Sequence, residues 1–205
     1  MEFKSIRRVV VGHDLQGKAV AVFDATVAPT QRTPGGNAVA NLWITGEFPV
    51  DPNGTADTAQ SKVGVPPPPG GTIFRIVDFP PASGAAAPSH VEHEKILLGM
   101  GIDPATQGYA RHRNTHRTRS VDYAIVLDGE IDMLMDETEV HLKAGDVLIQ
   151  QGTNHAWVNN TGRICRIAFV LMDAQAPAAS AGARAATASS AQGRARGAMP
   201  SASRA

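Results

Sequence analysis

Short apolar runs alternate with turn signals along most of the chain. Ile6–Gly12 is an apolar run, His13–Gly17 is turn-prone, and Ala19–Phe23 is apolar again, which is the pattern of a hairpin. Ala38–Thr45, containing Trp43, is a third predicted strand. Pro49–Gly71 is rich in Pro, Gly and Asp, with consecutive prolines at Pro66–Pro69, and is expected to be loop with local polyproline geometry. Thr72–Phe79 resumes strand character before a break at Pro80–Pro88. Glu92–Met100, ahead of Gly101, is the one helix the pattern predicts.

From His116 the alternation becomes regular. Ser120–Leu127 reads as a strand, Asp128-Gly129 as a hairpin turn, and Glu130–Met135 as the return strand. Asp136–Thr138 and Lys143–Asp146 are further turns, with Glu139–Leu142 between them. Val147–Gln150, Ala156–Val158 and Arg163–Leu171 complete the series. Short strands at this spacing indicate a sandwich or a closed barrel.

Composition refines this picture. The length of 205 residues suffices for one domain with a hydrophobic core. The formal net charge of zero gives no electrostatic footprint for nucleic acid. No apolar run approaches a membrane span, and Met1–Arg8 lacks the apolar stretch of a signal peptide, so a soluble cytoplasmic protein is expected. The single cysteine, Cys165, lies in an apolar run and reads as a buried, inert thiol. From Ala174 the chain is mostly Ala, Ser, Gly and Arg with no apolar stripe, so residues 174–205 read as a disordered tail. The expected organisation is an N-terminal β extension with loops over residues 1–110, a barrel core over 111–173, and the tail.

The candidate chemistry lies in two stretches. His116, Thr118 and Asp122 are spaced by even steps, so in a strand their side chains share one face. His155 follows the Gly152 turn and enters from another strand. Two imidazoles and a carboxylate suit non-haem Fe(II), with Zn, Mn or Ni as other ions for the same donors. His116 and Asp122 are far apart along one strand and meet only if it bends or coils. The metal-free alternative makes His116 a general acid–base group oriented by Asp122. His112 is a further even step back and a candidate to supplement the site. Trp157, an even step from His155, is expected to wall the interior, and Tyr123 to point outward. Asn159 reads as a turn-stabilising residue, His141 as solvent-facing, and His90 with His93 as a satisfied surface pair. Arg111, Arg113, Arg117 and Arg119 are out of step with His116 and read as solvated or subunit-facing.

The run from His116 through Asp122 to Gly129 resembles the first motif of the cupin family, in which two histidines one residue apart precede a glutamate, six residues and a glycine. The run from Gly145 through Gly152 and His155 to Asn159 resembles the second, with its glycine turn, histidine and asparagine. Thr118 stands where the family has its second histidine, Asp122 where it has glutamate, Ala110 where it has glycine, and Gln150 where the turn has proline. The resemblance implies an all-β, double-stranded β-helix (jelly-roll) barrel that commonly dimerises, here as a homodimer joined partly through N-terminal strands. It implies a small-molecule enzyme, with a metal-dependent oxidoreductase or dioxygenase of secondary or aromatic metabolism as the leading expectation. His116, Asp122 and His155 are then the catalytic and metal-ligating set, with Thr118, Trp157 and His112 as substrate-binding candidates. A metal-independent lyase, isomerase or decarboxylase and a non-catalytic ligand-binding cupin stand as alternatives.

Overall fold

The computed structural model describes residues 3–176, apart from residues 30, 34, 35, 55, 83, 85–87 and 109. Strands β1 (Ile6–His13) and β2 (Ala19–Val27) form the expected antiparallel hairpin as a sheet of their own. Its turn is closed by the Asp14 carboxylate, which accepts the backbone N–H groups of Gln16 and Lys18 at 2.9 Å each. This is the local side-chain bonding that makes Asp a turn residue.

Nine more strands build two facing antiparallel sheets. They are β3 (Gln31–Arg32), β4 (Ala38–Thr45), β5 (Thr72–Phe79), β6 (Ser120–Asp128), β7 (Glu130–Leu134), β8 (Glu139–Lys143), β9 (Val147–Gln151), β10 (Ala156–Val158) and β11 (Cys165–Asp173). The larger sheet has the order β3-β4-β5-β11-β6-β9 and the smaller β10-β7-β8. The alternate residues Ile73, Val77 and Phe79 of β5, Ala124 and Val126 of β6, and Ile167, Phe169 and Leu171 of β11 face inward. They meet Ile131, Met133 and Trp157 of the smaller sheet, so the core lies between the sheets as in an all-β jelly-roll barrel. Because β5 pairs with β11 along its whole length, β4 and β5 are part of the barrel sheet itself.

Asp128-Gly129 is not a hairpin turn. β6 pairs with β11 and β9, whereas β7 pairs with β8 and β10, so the chain crosses here from one sheet to the other. Gly129 has φ +82°, and a Cβ on it would lie 2.7 Å from the Ile164 carbonyl oxygen and 2.8 Å from Cys165 Cα. Glycine serves this corner for the same reason that it serves a hairpin: it alone combines positive φ with close backbone approach. Lys143–Asp146 is the return corner, pinned by bonds from Gly145 N to Val126 O and from Ala144 N to Gly129 O.

The long loop 46–71 is anchored rather than free. It contains a 3₁₀ turn, Thr58–Gln60, whose preceding Asp57 grips the buried Arg8 of β1 with two bonds of 2.7 and 2.6 Å. Helix α1 (His90–Gly99) begins two residues before the expected start, because Ser89 and Glu92 form a capping box. Among the described residues no helix is long and apolar enough to cross a membrane. The tail from residue 177 lies outside the described residues.

Gly129→Ala is expected to lower stability by about 1–3 kcal/mol, from positive φ together with the backbone clash. Gly145, at φ +96° with open space around its Cβ position, should cost about 1 kcal/mol when replaced by Ala. Equal losses for the two variants in urea denaturation would show that the Gly129 corner is not sterically tight.

Candidate functional site

A cavity of about 90 Å³ opens between the sheets, walled by Arg75, His116, Asp122, Gln150, His155 and Trp157 among apolar side chains. Its two imidazoles are placed by backbone pairing. His116 N donates to His155 O and His155 N to His116 O, both at 2.9 Å, in an isolated antiparallel bridge. The ring centroids lie 4.6 Å apart. The His116 end is further fixed from α1, where His93 Nε2 donates to the Thr115 carbonyl at 2.7 Å. His93 is therefore a buried clamp rather than half of a surface pair, while His90 is exposed beside Glu94.

Hydrogen bonds set the ring orientations. His116 Nδ1 lies 2.7 Å from the Asn114 carbonyl and donates to it, which leaves Nε2 as a free lone pair. His155 Nδ1 lies 2.8 Å from Gln150 Nε2 and 3.0 Å from the Thr153 carbonyl. It accepts from the amide in one tautomer and donates to the carbonyl in the other; the second tautomer frees Nε2. Gln150 is itself held by Thr153, whose hydroxyl donates to Oε1 and whose carbonyl accepts from Nε2. Burial pushes the His116 imidazole below its ordinary range and His155 down to about 3, so both are neutral at pH 7.

Asp122 sits on β6 opposite Gln150, and burial raises its carboxyl to about 6 against the opposing pull of Ser120 and Arg75. Its Oδ1 is buried with no hydrogen-bond partner. Thr118 is also buried, but its hydroxyl bonds Ser120 at 2.6 Å and it does not line the cavity. Ser120 in turn holds the Asp122 carboxyl down against burial, so Thr118 reaches the site only through Ser120. Trp157 packs edge-on to His155 and Phe169 as the expected wall. His112 lines a separate cavity with Arg113, Asn114 and Asn159 on the other side of Trp157.

The structure thus brings His116, Asp122, His155 and Trp157 to one cavity and leaves Thr118 and His112 outside it. Among the described residues, no three His, Cys, Asp or Glu side chains gather closely enough to hold an ion. The two imidazoles are donors of the kind that divalent metals take, but Asp122, in the same cavity, does not close a three-ligand set with them. Two lining residues escape the sequence reading. Arg75 lies in step with the core positions Ile73, Val77 and Phe79, and that parity would have placed it inside. Gln150 carried no signal beyond standing where the family has proline.

The remaining candidates serve the scaffold. The Asn159 amide bonds the Phe79 and Arg163 carbonyls, His141 is exposed beside Asp132, and Tyr123 points outward. Arg111 and Arg117 tie down loop carbonyls, and Arg119 meets Asp173.

The chain is similar to known proteins. Residues 100–171 match the model of the Cupin domain family. Phomopsin biosynthesis cluster protein C' of Diaporthe leptostromiformis is 32% identical over 85% of this chain and 82% of its own length. The cupin-domain-containing oxidoreductase virC of Hypocrea virens is 29% identical over 81% of this chain and 75% of its own. The EutQ protein of Clostridium difficile, a solved structure, aligns over 82% of this chain and 88% of its own at 10% identity and a TM-score of 0.42.

Gln150→Ala is expected to destabilise the protein by about 1–3 kcal/mol, because the Thr153 carbonyl and hydroxyl and His155 Nδ1 lose a buried partner together. Chemical denaturation checks this. A loss within the noise would show that the Gln150–Thr153–His155 trio does not order the turn.

Proposed function

Since the chain belongs to the cupin family, in its single-domain cupin-2 form, we propose that it is an oxidoreductase of small-molecule biosynthesis using a divalent metal at His116 and His155. The observation that carries this reading is the bridged pair of neutral imidazoles, with His116 Nε2 free toward the cavity. Asp122, which lines the same cavity, is the proposed third ligand. When bound, such an ion supplies Lewis acidity and, if it is iron, redox chemistry toward oxygen. The chain's own residues do the rest. Asn114 and Thr153 fix the rings through their carbonyls, Ser120 orients the Asp122 carboxylate, and Trp157 and Phe169 exclude water from one wall. Relatives named as cupin-domain-containing oxidoreductases support the reaction class.

A metal-independent lyase or isomerase is the second reading, favoured by an Asp122 carboxyl whose raised pKa of about 6 suits proton transfer near neutrality. Thr118 and His112 retain a proposed role at the site, Thr118 through Ser120 and Asp122, and His112 from the neighbouring cavity. Cys165 is fully buried and its thiol is pushed up to about 12, which fits an unreactive thiol in a reducing, cytoplasmic setting.

The proposed assembly is a homodimer. Trp43, Phe74, Val170, Tyr123 and Ile149 are register partners in one row across the outer face of the larger sheet. Phe74, Tyr123 and Ile149 are 40%, 43% and 53% exposed, and Val9 and Val11 of β1 extend the surface toward the N-terminal hairpin. A continuous apolar row of this kind is covered most simply by a second copy of the same face.

Elemental analysis of the full chain purified without added metal should find one transition metal per chain, lost in His116→Ala and His155→Ala. A metal-free active protein would establish the second reading instead. Light scattering at micromolar concentration should give twice the chain mass, and Tyr123→Glu with Ile149→Glu should give the monomer. A monomeric parent chain overturns the dimer.

A further inference from the structure

Two buried arginines, Arg8 and Arg75, and the half-buried Arg166 can be compared within this one chain. Arg8 meets Asp57 through two bonds of 2.7 and 2.6 Å and also donates to the Leu42 carbonyl. Arg166 meets Asp78 through two bonds of 2.6 and 2.7 Å and also donates to the Lys4 carbonyl. Both pairs are the two-pronged arrangement that matches a guanidinium to a carboxylate. Arg75 is more buried than Arg166 and only 5% exposed, yet it has no such partner. Its Nη2 donates to the Gly64 carbonyl at 3.0 Å, and its Nε, like that of Arg8, is buried with nothing to accept its proton, so what sets Arg75 apart is the missing carboxylate. Among the described residues no carboxylate stands within ion-pair distance of it. Asp122, which shares the cavity, acts on it through space, and the Asp122 Oδ1 is itself without a partner.

An unmatched guanidinium on the inward face of a barrel strand is costly, and apolar residues of similar volume are often as stable or more stable at such positions. Arg75 is also the one of the three that lines the cavity holding His116 and His155. We infer that Arg75 is a specificity-determining residue that receives a carboxylate, so that the substrate of this site is a small organic acid. The cavity volume of about 90 Å³ takes a carboxylate and a few attached atoms rather than a large ligand. Val39, Val65 and Met100 line the same space and suit an apolar body on the acid. The inference rests on reading this cavity as the substrate site, but it does not depend on the metal.

The test uses acetate, isobutyrate and benzoate as probes, with their amides as neutral counterparts, in ligand-observed NMR titrations of the full chain. At least one of the acids should bind 10-fold or more tighter than its amide, in EDTA-treated protein as well as in protein as purified. Arg75→Met should fold with an unchanged or higher Tm and lose that preference, whereas Arg75→Lys should keep part of it. Arg119→Gln, a surface control, should bind as the parent does. The inference is overturned if no acid binds, if acids and amides bind alike, or if the preference survives in Arg75→Met. It is also overturned if acid binding disappears with EDTA, which would assign the carboxylate to the metal and leave the oxidoreductase reading standing.

Discussion

Two backbone hydrogen bonds of 2.9 Å between His116 and His155 join stretches of chain almost forty positions apart and set the geometry of everything around them. The first stretch reaches this bridge from a loop clamped by His93 of α1, and the second from a turn ordered by Gln150 and Thr153. With the backbones paired, the two rings lie with centroids 4.6 Å apart, tilted at 47°. The barrel corners at Gly129 and Gly145 act upstream of this bridge. They carry the chain out to the smaller sheet and back, so that β9 lies beside β6 and brings Gln150 opposite Asp122.

The interior that results is divided. One part is ordinary core, built from Ile73, Val77, Ile131, Met133, Ile167 and their neighbours. The other holds Arg75, His116, Asp122, Gln150 and His155 around a cavity. Each buried polar group there carries a desolvation cost that an apolar side chain would avoid. Burial lowers both imidazoles and raises Asp122, so the site holds neutral bases and a carboxyl that ionises near neutrality. Groups of this kind, gathered in one cavity and incompletely satisfied by one another, mark a candidate functional site.

Much of this is legible in the sequence, for identifiable reasons. Apolar runs bounded by turn signals placed the strands from β4 to β11, because the barrel is built from short antiparallel strands. Spacing together with the motif resemblance singled out His116, Asp122, His155 and Trp157, and all four line one cavity. What the pattern conceals is connectivity. Asp128-Gly129 has the composition of a hairpin, yet the choice between a hairpin and a corner between sheets rests on the partners of β6 and β7, which are distant in the chain. Arg75 was hidden because a single arginine in an apolar run reads as an interruption. Thr118 shares the buried face as predicted, but a 2.6 Å bond to Ser120 turns its hydroxyl away from the cavity, and side-chain pairing of this kind leaves no trace in spacing.

We propose that the bridged imidazoles form the working centre of the barrel. Anomalous diffraction from crystals of the full chain loaded with Fe(II) or Mn(II) tests it most directly. One strong peak bound by both His116 and His155 inside the cavity is expected. A peak elsewhere on the chain, or none at full metal occupancy in solution, would contradict it.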